Sequence, residues 1–214
     1  MKRLLAGAAL SALVGLLHVG SAEGATISLT GACAPDAPGL CSKTLTFDDV
    51  SDVLTIDLTN TSPAANGGYI TGDAFWLPSN TVVSGSSSDA DFQFIDPLLN
   101  QPSGGDVNFT LGRTQAFALG GDWEGGGSPS AGTGTGQTVT FTVTLNRDLT
   151  ALEFSDVFRS QAIRFRGFTD GSSDKDLVVP GGNVTPIPEP ASLLLFGLAL
   201  SGAGLQARRK FTGR

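Results

Sequence analysis

The residues that could catalyse a reaction are few in this chain of 214 residues. The only histidine, His18, lies in an N-terminal stretch that we expect to be removed, so the mature protein lacks the base of a Ser-His-Asp or Cys-His site and any His-ligated metal. Glycoside hydrolysis needs two carboxyl groups about 5–10 Å apart. The central region has two glutamates, Glu124 and Glu153, and many aspartates, but nothing in the sequence fixes a pair. We predict that the protein is not an enzyme and has no cofactor.

Aspartates that could bind calcium lie near the end of the central region. Asp170, Asp174 and Asp176 could hold Ca²⁺ together with backbone oxygens. Their spacing departs from that of an EF-hand loop, and Lys175 lies among them. A last strand that runs into a tight turn is the alternative, and we favour it. A second acidic group, within residues 48–52, is typical of a solvated turn. We therefore predict no metal site.

Aromatic side chains could stack on sugar rings, and Trp76, Trp123 and Tyr69 are the candidates. Trp76 lies inside an apolar run, which is typical of core. Trp123 lies between two acidic residues in the glycine-rich stretch 121–137, which we predict to be a mobile loop. Trp123 is therefore the candidate glycan contact. Residues 132–136 resemble a phosphate loop superficially, but the lysine is missing and a strand follows instead of a helix.

Cys33 and Cys41 are the only cysteines of the chain. Both belong to the part that we expect to be exported, and the segment between them is rich in turn-forming residues. An even number of cysteines in an oxidising compartment predicts a disulfide. A free thiol pair or a lipid attachment site is the alternative, but Cys33 lies far from the expected cleavage site.

The elements that must position these residues are strands, because apolar residues recur with a period of two. The enrichment in threonine and valine agrees. We predict an all-β domain over residues 25–179, a β-sandwich of jelly-roll or immunoglobulin type with about eight to ten strands and no long helix. The candidate strands are Thr26–Thr30, Lys43–Phe47, Leu54–Leu58, Tyr69–Leu77, Ala90–Ile95, Val107–Leu111, Gln115–Leu119, Thr138–Leu145 and Ile163–Phe165. A flat threonine array for ice binding would need repeats of strands such as Thr138–Leu145, and no internal repeat is visible.

The charge is distributed unevenly along the chain. Residues 25–187 hold 18 of the 20 acidic residues but only 7 of the 13 lysines and arginines, so this part carries a net charge of −11. Binding to nucleic acid needs clustered basic residues, so we exclude it. The remaining basic residues lie at the two ends of the chain, which fits an exported domain held beside a membrane.

The N-terminus has the organisation of a secretory signal peptide. A basic start at Lys2 and Arg3 is followed by an apolar run and then by small residues. We predict a signal peptide over residues 1–24, with a retained N-terminal anchor helix as the alternative.

The C-terminus has three successive parts, after a linker predicted over residues 180–187. The Pro188-Glu189-Pro190 tripeptide comes first, then the uncharged apolar run 191–207, and then the basic residues Arg208, Arg209 and Lys210. The run would span roughly 25 Å as a helix, barely enough to cross a bilayer. We predict a transmembrane helix over 191–207, with the basic stop on the cytoplasmic side.

These three parts, over residues 188–214, resemble the PEP-CTERM sorting signal. Segments of this kind also bear the label ice-binding protein C-terminal domain, which does not make the whole protein ice-binding. The resemblance implies export from a cell that makes exopolysaccharide, residence in the inner membrane before processing, and cleavage near Pro-Glu-Pro by an exosortase. The protein would then reach the cell surface or the medium, and the catalytic residues would belong to the exosortase.

Two functions therefore stand as expectations. One is an exported, exosortase-processed protein of the cell surface or extracellular matrix, with a non-catalytic β-sandwich that is associated with exopolysaccharide or biofilm. The alternative is a carbohydrate-binding module of the envelope.

Overall fold

A computed structural model of the chain describes residues 26–34, 38–99 and 112–180. These residues form ten strands, one α-helix and a short 3₁₀ helix, Pro129–Ala131. The strands are β1 (Thr26–Cys33), β2 (Cys41–Asp48), β3 (Val53–Asn60), β4 (Gly67–Phe75), β5 (Val82–Ser87), β6 (Phe92–Ile95), β7 (Gln115–Leu119), β8 (Thr138–Leu145), β9 (Ala162–Phe168) and β10 (Ser173–Pro180), with the helix α1 (Ala151–Arg159) between β8 and β9.

The strands form because alternate side chains pack into a common core. In β8, Val139, Phe141 and Val143 are buried, while the threonines between them remain at least partly exposed. The same alternation holds in β3, where Leu54 and Ile56 face the core. One face of each strand is thereby removed from water, which is the main favourable contribution to folding.

The strands pair in the order β5-β8-β3-β2-β1-β10-β9-β4-β7-β6, and every pairing is antiparallel. The sheet is nearly closed, because its two ends approach each other. The rings of Phe117 in β7 and Phe141 in β8 stack with centroids 4.3 Å apart. Gly85 in β5 lies against Phe94 in β6, where an added Cβ would be 2.4 Å from the ring. One core is therefore shared by the two halves of the sheet, β5-β8-β3-β2-β1 and β10-β9-β4-β7-β6.

The helix α1 packs on this core with Phe154, Val157 and Phe158. It begins with a capping box, in which the Thr150 side chain accepts a hydrogen bond from the backbone of Glu153 and the Glu153 carboxylate accepts one from the backbone of Thr150. These bonds satisfy two of the donors that a helix start leaves unpaired. At nine residues the helix is too short to show a clear period in the sequence.

The all-β prediction is confirmed in its coarse form. A sandwich would have two separate sheets, whereas β10 pairs with both β1 and β9 and joins the halves into one. The structure adds the strands β5 and β10, which were not predicted from the sequence. No helix within residues 26–34, 38–99 and 112–180 has the length and apolar character needed to cross a membrane. Three predicted elements lie outside the described residues: the signal helix 1–24, the strand Val107–Leu111 and the transmembrane helix 191–207.

Candidate functional site

The outer face of the half-sheet β5-β8-β3-β2-β1 is lined with hydroxyl groups. One row crosses five strands, since the register places Ser28 beside Thr46, Thr46 beside Thr55, Thr55 beside Thr142, and Thr142 beside Ser86. We name this surface the hydroxyl face; its members are Ser28, Thr30, Ser42, Thr44, Thr46, Thr55, Thr59, Ser86, Thr138, Thr140 and Thr142, all of which are exposed or half-buried.

The spacing of the hydroxyl face follows from the sheet itself. Neighbouring strands lie about 4.8 Å apart, and outward residues recur about every 6.8 Å along a strand. Two cross-strand hydrogen bonds fix part of the array: Thr59 Oγ1 and Thr138 Oγ1 are 2.7 Å apart, and Thr140 Oγ1 donates to Asp57 Oδ1 over 2.6 Å. A hydroxyl group both donates and accepts, so such a surface can hydrogen-bond the hydroxyls of a sugar polymer.

A polar cleft adjoins the hydroxyl face where β8 begins. It has a volume of about 420 Å³ and is lined by Ser88, Asp89, Thr133, Gln137, Thr138 and Val139. Its rim is held by two hydrogen bonds between Ser88 and Thr140, since Thr140 N donates to Ser88 Oγ over 2.9 Å and Ser88 N donates to Thr140 O over 2.8 Å. The cleft offers a hydroxyl, a carboxylate and a carboxamide side by side, a mixture suited to a small polar ligand.

A second polar cluster lies inside the core. Lys43 occupies an inward position of β2, where its neighbours in alternation are Leu45 and Phe47, and it is 2% exposed. Its Nζ donates to Asp73 Oδ2 of β4 and to Oε1 of Gln161, the residue directly before β9. We name Lys43, Asp73 and Gln161 the buried lysine site.

Burial dominates the electrostatics of this site. It lowers the pKa of Lys43 to about 8, against the opposing effect of Asp73. It raises the pKa of Asp73, which Lys43 and then Arg113 act to lower. Desolvation disfavours the charged form of each partner, so the neutral amine and the neutral acid both form more easily here than at the surface. Gln161 is oriented from its other side, because its Nε2 donates to Val157 O over 2.9 Å.

Neither the hydroxyl face nor the buried lysine site was predicted from the sequence. A threonine array was expected on one strand alone, Thr138–Leu145, and its threonines were not aligned with those of β2 and β3. The alternation of Ser and Thr at positions 42, 44 and 46 was the available signal. For Lys43, the signal was a lysine on the apolar side of a period-two pattern.

The prediction that Trp123 is an exposed glycan contact is wrong. Its side chain is 2% exposed and packs against the outer face of β4, where an added Cβ on Gly72 would lie 2.8 Å from the indole. Arg164 donates to the Trp123 carbonyl and helps to hold it there. Within the stretch 121–137, Trp123 and Thr133 are buried, and Thr133 forms a β-bridge with Ile70. Trp76 and Tyr69 are half-buried.

The structure joins Cys33 and Cys41 in a disulfide with a Cα–Cα distance of 4.9 Å, as the paired cysteines predicted. This bond connects the end of β1 to the start of β2 and supports the hairpin that they form.

The carboxylates singled out in the sequence do not converge. Among the described residues, no three acidic, cysteine or histidine side chains are grouped to hold a metal ion. Asp170 accepts the backbone N–H of Ser172 in the turn before β10, whereas Asp176 is buried within β10. Glu124 pairs with Lys175 at 3.2 Å, and Glu153 pairs with Arg147 and caps α1.

The comparisons with known proteins concern the C-terminal end. The family model of the PEP-CTERM protein-sorting motif matches residues 186–210, which confirms the resemblance. The matched span holds the sorting motif Pro188-Glu189-Pro190 and the basic stop, Arg208, Arg209 and Lys210, which lie outside the described residues, so their individual roles stay predictions. The ice-binding label has no support in this match. No curated protein and no solved structure matches the chain.

Proposed function

Starting from the PEP-CTERM sorting motif that the chain carries at residues 186–210, we propose that this protein is exported, processed by an exosortase and delivered to the cell surface or the extracellular matrix. The motif supports export and targeting to an exosortase. In this proposal the apolar run 191–207 halts export, the basic stop remains inside, and the Pro-Glu-Pro segment is held near the outer side of the inner membrane, where an exosortase cuts.

Processing is tested by the mass of the C-terminus. In a strain with an active exosortase, mass spectrometry of the surface or medium fraction should give a C-terminus near Pro188. Deletion of the exosortase should leave the full-length chain in the membrane. Surface protein that retains its tail through Arg214 in the active strain would overturn this part of the proposal and indicate a plain tail anchor.

The β domain, in this proposal, is a non-catalytic module that adheres to exopolysaccharide through its hydroxyl face. The observation that carries it is the row of hydroxyl side chains that crosses five strands. An extended and weakly charged surface suits a polymer chain better than a small substrate. The pairing of Glu124 with Lys175 and of Glu153 with Arg147 supports the absence of hydrolysis, because each carboxylate is engaged elsewhere.

Adhesion is tested by co-sedimentation of the exported protein with the exopolysaccharide of its own host. The variant Thr46→Val with Thr142→Val keeps shape and removes two hydroxyls from the central row. A lost hydrogen bond is worth about 1 kcal/mol, so retention should fall by roughly five-fold or more. Thr61→Val changes an exposed threonine outside the face and is the matched control. Equal retention of both variants and the wild type would overturn adhesion through this face.

A second candidate function is a carbohydrate-binding module that takes short glycans, and the cleft beside Thr138 favours it. A glycan array distinguishes the two functions. Binding of soluble oligosaccharides that Gln137→Ala abolishes would favour the module, whereas retention by polymer alone, with Gln137→Ala unchanged, would favour adhesion through the hydroxyl face.

A further inference from the structure

The buried lysine site has a composition that a purely structural ion pair does not need. Burying a lysine and a carboxylate costs several kcal/mol for each ion, and an apolar pair of similar volume is often at least as stable. Here the Lys43 side chain and the Asp73 side chain are both 0% exposed. A carboxamide, Gln161, contacts the same lysine nitrogen. Among the described residues, none hydrogen-bonds the second oxygen of Asp73, Oδ1, although it is buried.

From this geometry we propose that Lys43 and Gln161 form an internal amide cross-link, with Asp73 transferring the proton. The reaction needs a nucleophile, an acyl carbon and a proton carrier, and the site holds one of each in contact with, or next to, the Lys43 nitrogen. The cross-link would join β2 to the residue directly before β9, two positions 118 residues apart in the chain and attached to opposite halves of the sheet. It does not depend on where the protein is delivered.

The step balances without any further reactant. Asp73 takes a proton from the Lys43 ammonium, which leaves a neutral amine and a carboxylic acid. The Nζ lone pair attacks Cδ of Gln161 and forms a C–N bond. The Cδ–Nε2 bond then breaks, and Nε2 leaves as ammonia after Asp73 has passed on the proton that Nζ loses. The products are one amide, one molecule of ammonia and the carboxylic acid of Asp73, which keeps the proton that it took from the Lys43 ammonium at the start; nothing is oxidised or reduced.

Three features of the site favour this step. Burial shifts the pKa of Lys43 down to about 8 and that of Asp73 upward, so the transfer of a proton between them costs less than it would in water. Reactants that are fixed in contact have effective concentrations of about 10⁵ M or more when they are well oriented. Ammonia diffuses away, which makes the reaction irreversible.

Asp73 is the competing acyl donor, by condensation with Lys43 and loss of water. The arrangement favours Gln161, because Asp73 then remains to carry the proton. If Asp73 were the acyl donor, a carboxamide would be the remaining partner of the amine, and a carboxamide is a poor proton carrier.

The test is a mass measurement on the full chain, produced in an exporting host and reduced so that the disulfide does not contribute. The folded protein should be lighter than its sequence by one molecule of ammonia. Trypsin does not cleave after an acylated lysine, so the bond after Lys43 should stay intact and the tryptic fragment 160–164 should be found attached to it. An unmodified mass, or a loss of water with Lys43 joined to Asp73, would overturn the proposal.

Variants separate the roles of the three residues. Gln161→Leu and Asp73→Asn should each show the mass of an uncross-linked chain, the first for lack of an acyl carbon and the second for lack of a proton carrier. Lys175→Arg is the matched control, since Lys175 also contacts a carboxylate, Glu124, but at the surface. It should keep the loss of ammonia. Because the decisive measurement is made on the wild type, failure of a variant to fold does not weaken the test.

Discussion

Truncation of Phe141 to alanine should destabilise the domain by about 3–5 kcal/mol, the range for large-to-small substitutions of a buried phenylalanine. Phe141 in β8 is fully buried. Its ring stacks on Phe117 of β7 at 4.3 Å and meets Phe92 of β6 edge-on at 5.3 Å. Since domains of this kind are stable by about 5–15 kcal/mol, this one ring accounts for a large share. Its stacking on Phe117 also joins β8 to β7, the strands next to the two ends of the sheet.

The assay is urea-induced unfolding of the exported protein, followed by the fluorescence of the half-buried Trp76 and the buried Trp123. A double-mutant cycle with Phe117→Ala isolates the ring–ring contact, for which we expect a coupling of about 0.5–1.5 kcal/mol. Leu152→Ala, on the exposed side of α1, is the control and should be additive with Phe141→Ala. A loss below about 1 kcal/mol for Phe141→Ala, or no coupling to Phe117, would refute the near-closure of the sheet.

Three further predictions follow from local contacts. Reduction of the Cys33–Cys41 disulfide, whose sequence separation is 8, should lower the free energy of unfolding by about 2.5 kcal/mol. The double serine variant is the control and should not respond to reductant. Identical urea curves of the wild type with and without reductant would count against this prediction. Glu153→Gln should cost up to about 1 kcal/mol at neutral pH. Because hydrogen bonds from Arg147 and from the helix start lower the pKa of Glu153 from 4.5 to about 2, its contribution is complete above pH 4.5 and is lost as the pH falls to 2, so a pH-independent difference between variant and wild type would contradict it. Gly72→Ala should cost about 1–3 kcal/mol and expose the indole packed against it, whereas Gly125→Ala, with nothing within 4 Å of an added Cβ, should be nearly neutral; equal stabilities in urea would be inconsistent with this packing.

The strands that could be predicted from the sequence are those with one buried face and one solvent-exposed face. β2, β3 and β8 lie where the alternation indicated, because a period of two is a local property of the chain. β5 was missed, since Val82–Ser87 is rich in serine and lies at the end of the sheet, half-buried or exposed along its length. β10 was missed because its acidic start has the composition of a turn.

The sequence alone determined the features that depend on neighbours along the chain. The sorting motif at 186–210 is a linear pattern, and the disulfide closes a short loop between the only two cysteines. The burial of Trp123, the alignment of hydroxyls over five strands and the meeting of Lys43 with Asp73 and Gln161 depend on segments far apart in the chain. Strand order and register set those meetings, and both are decided by the packing of the whole core. A glycine-rich stretch with charged residues is typical of an exposed loop, yet Trp123 is covered because the sheet beside it offers an apolar surface that only the tertiary structure assembles.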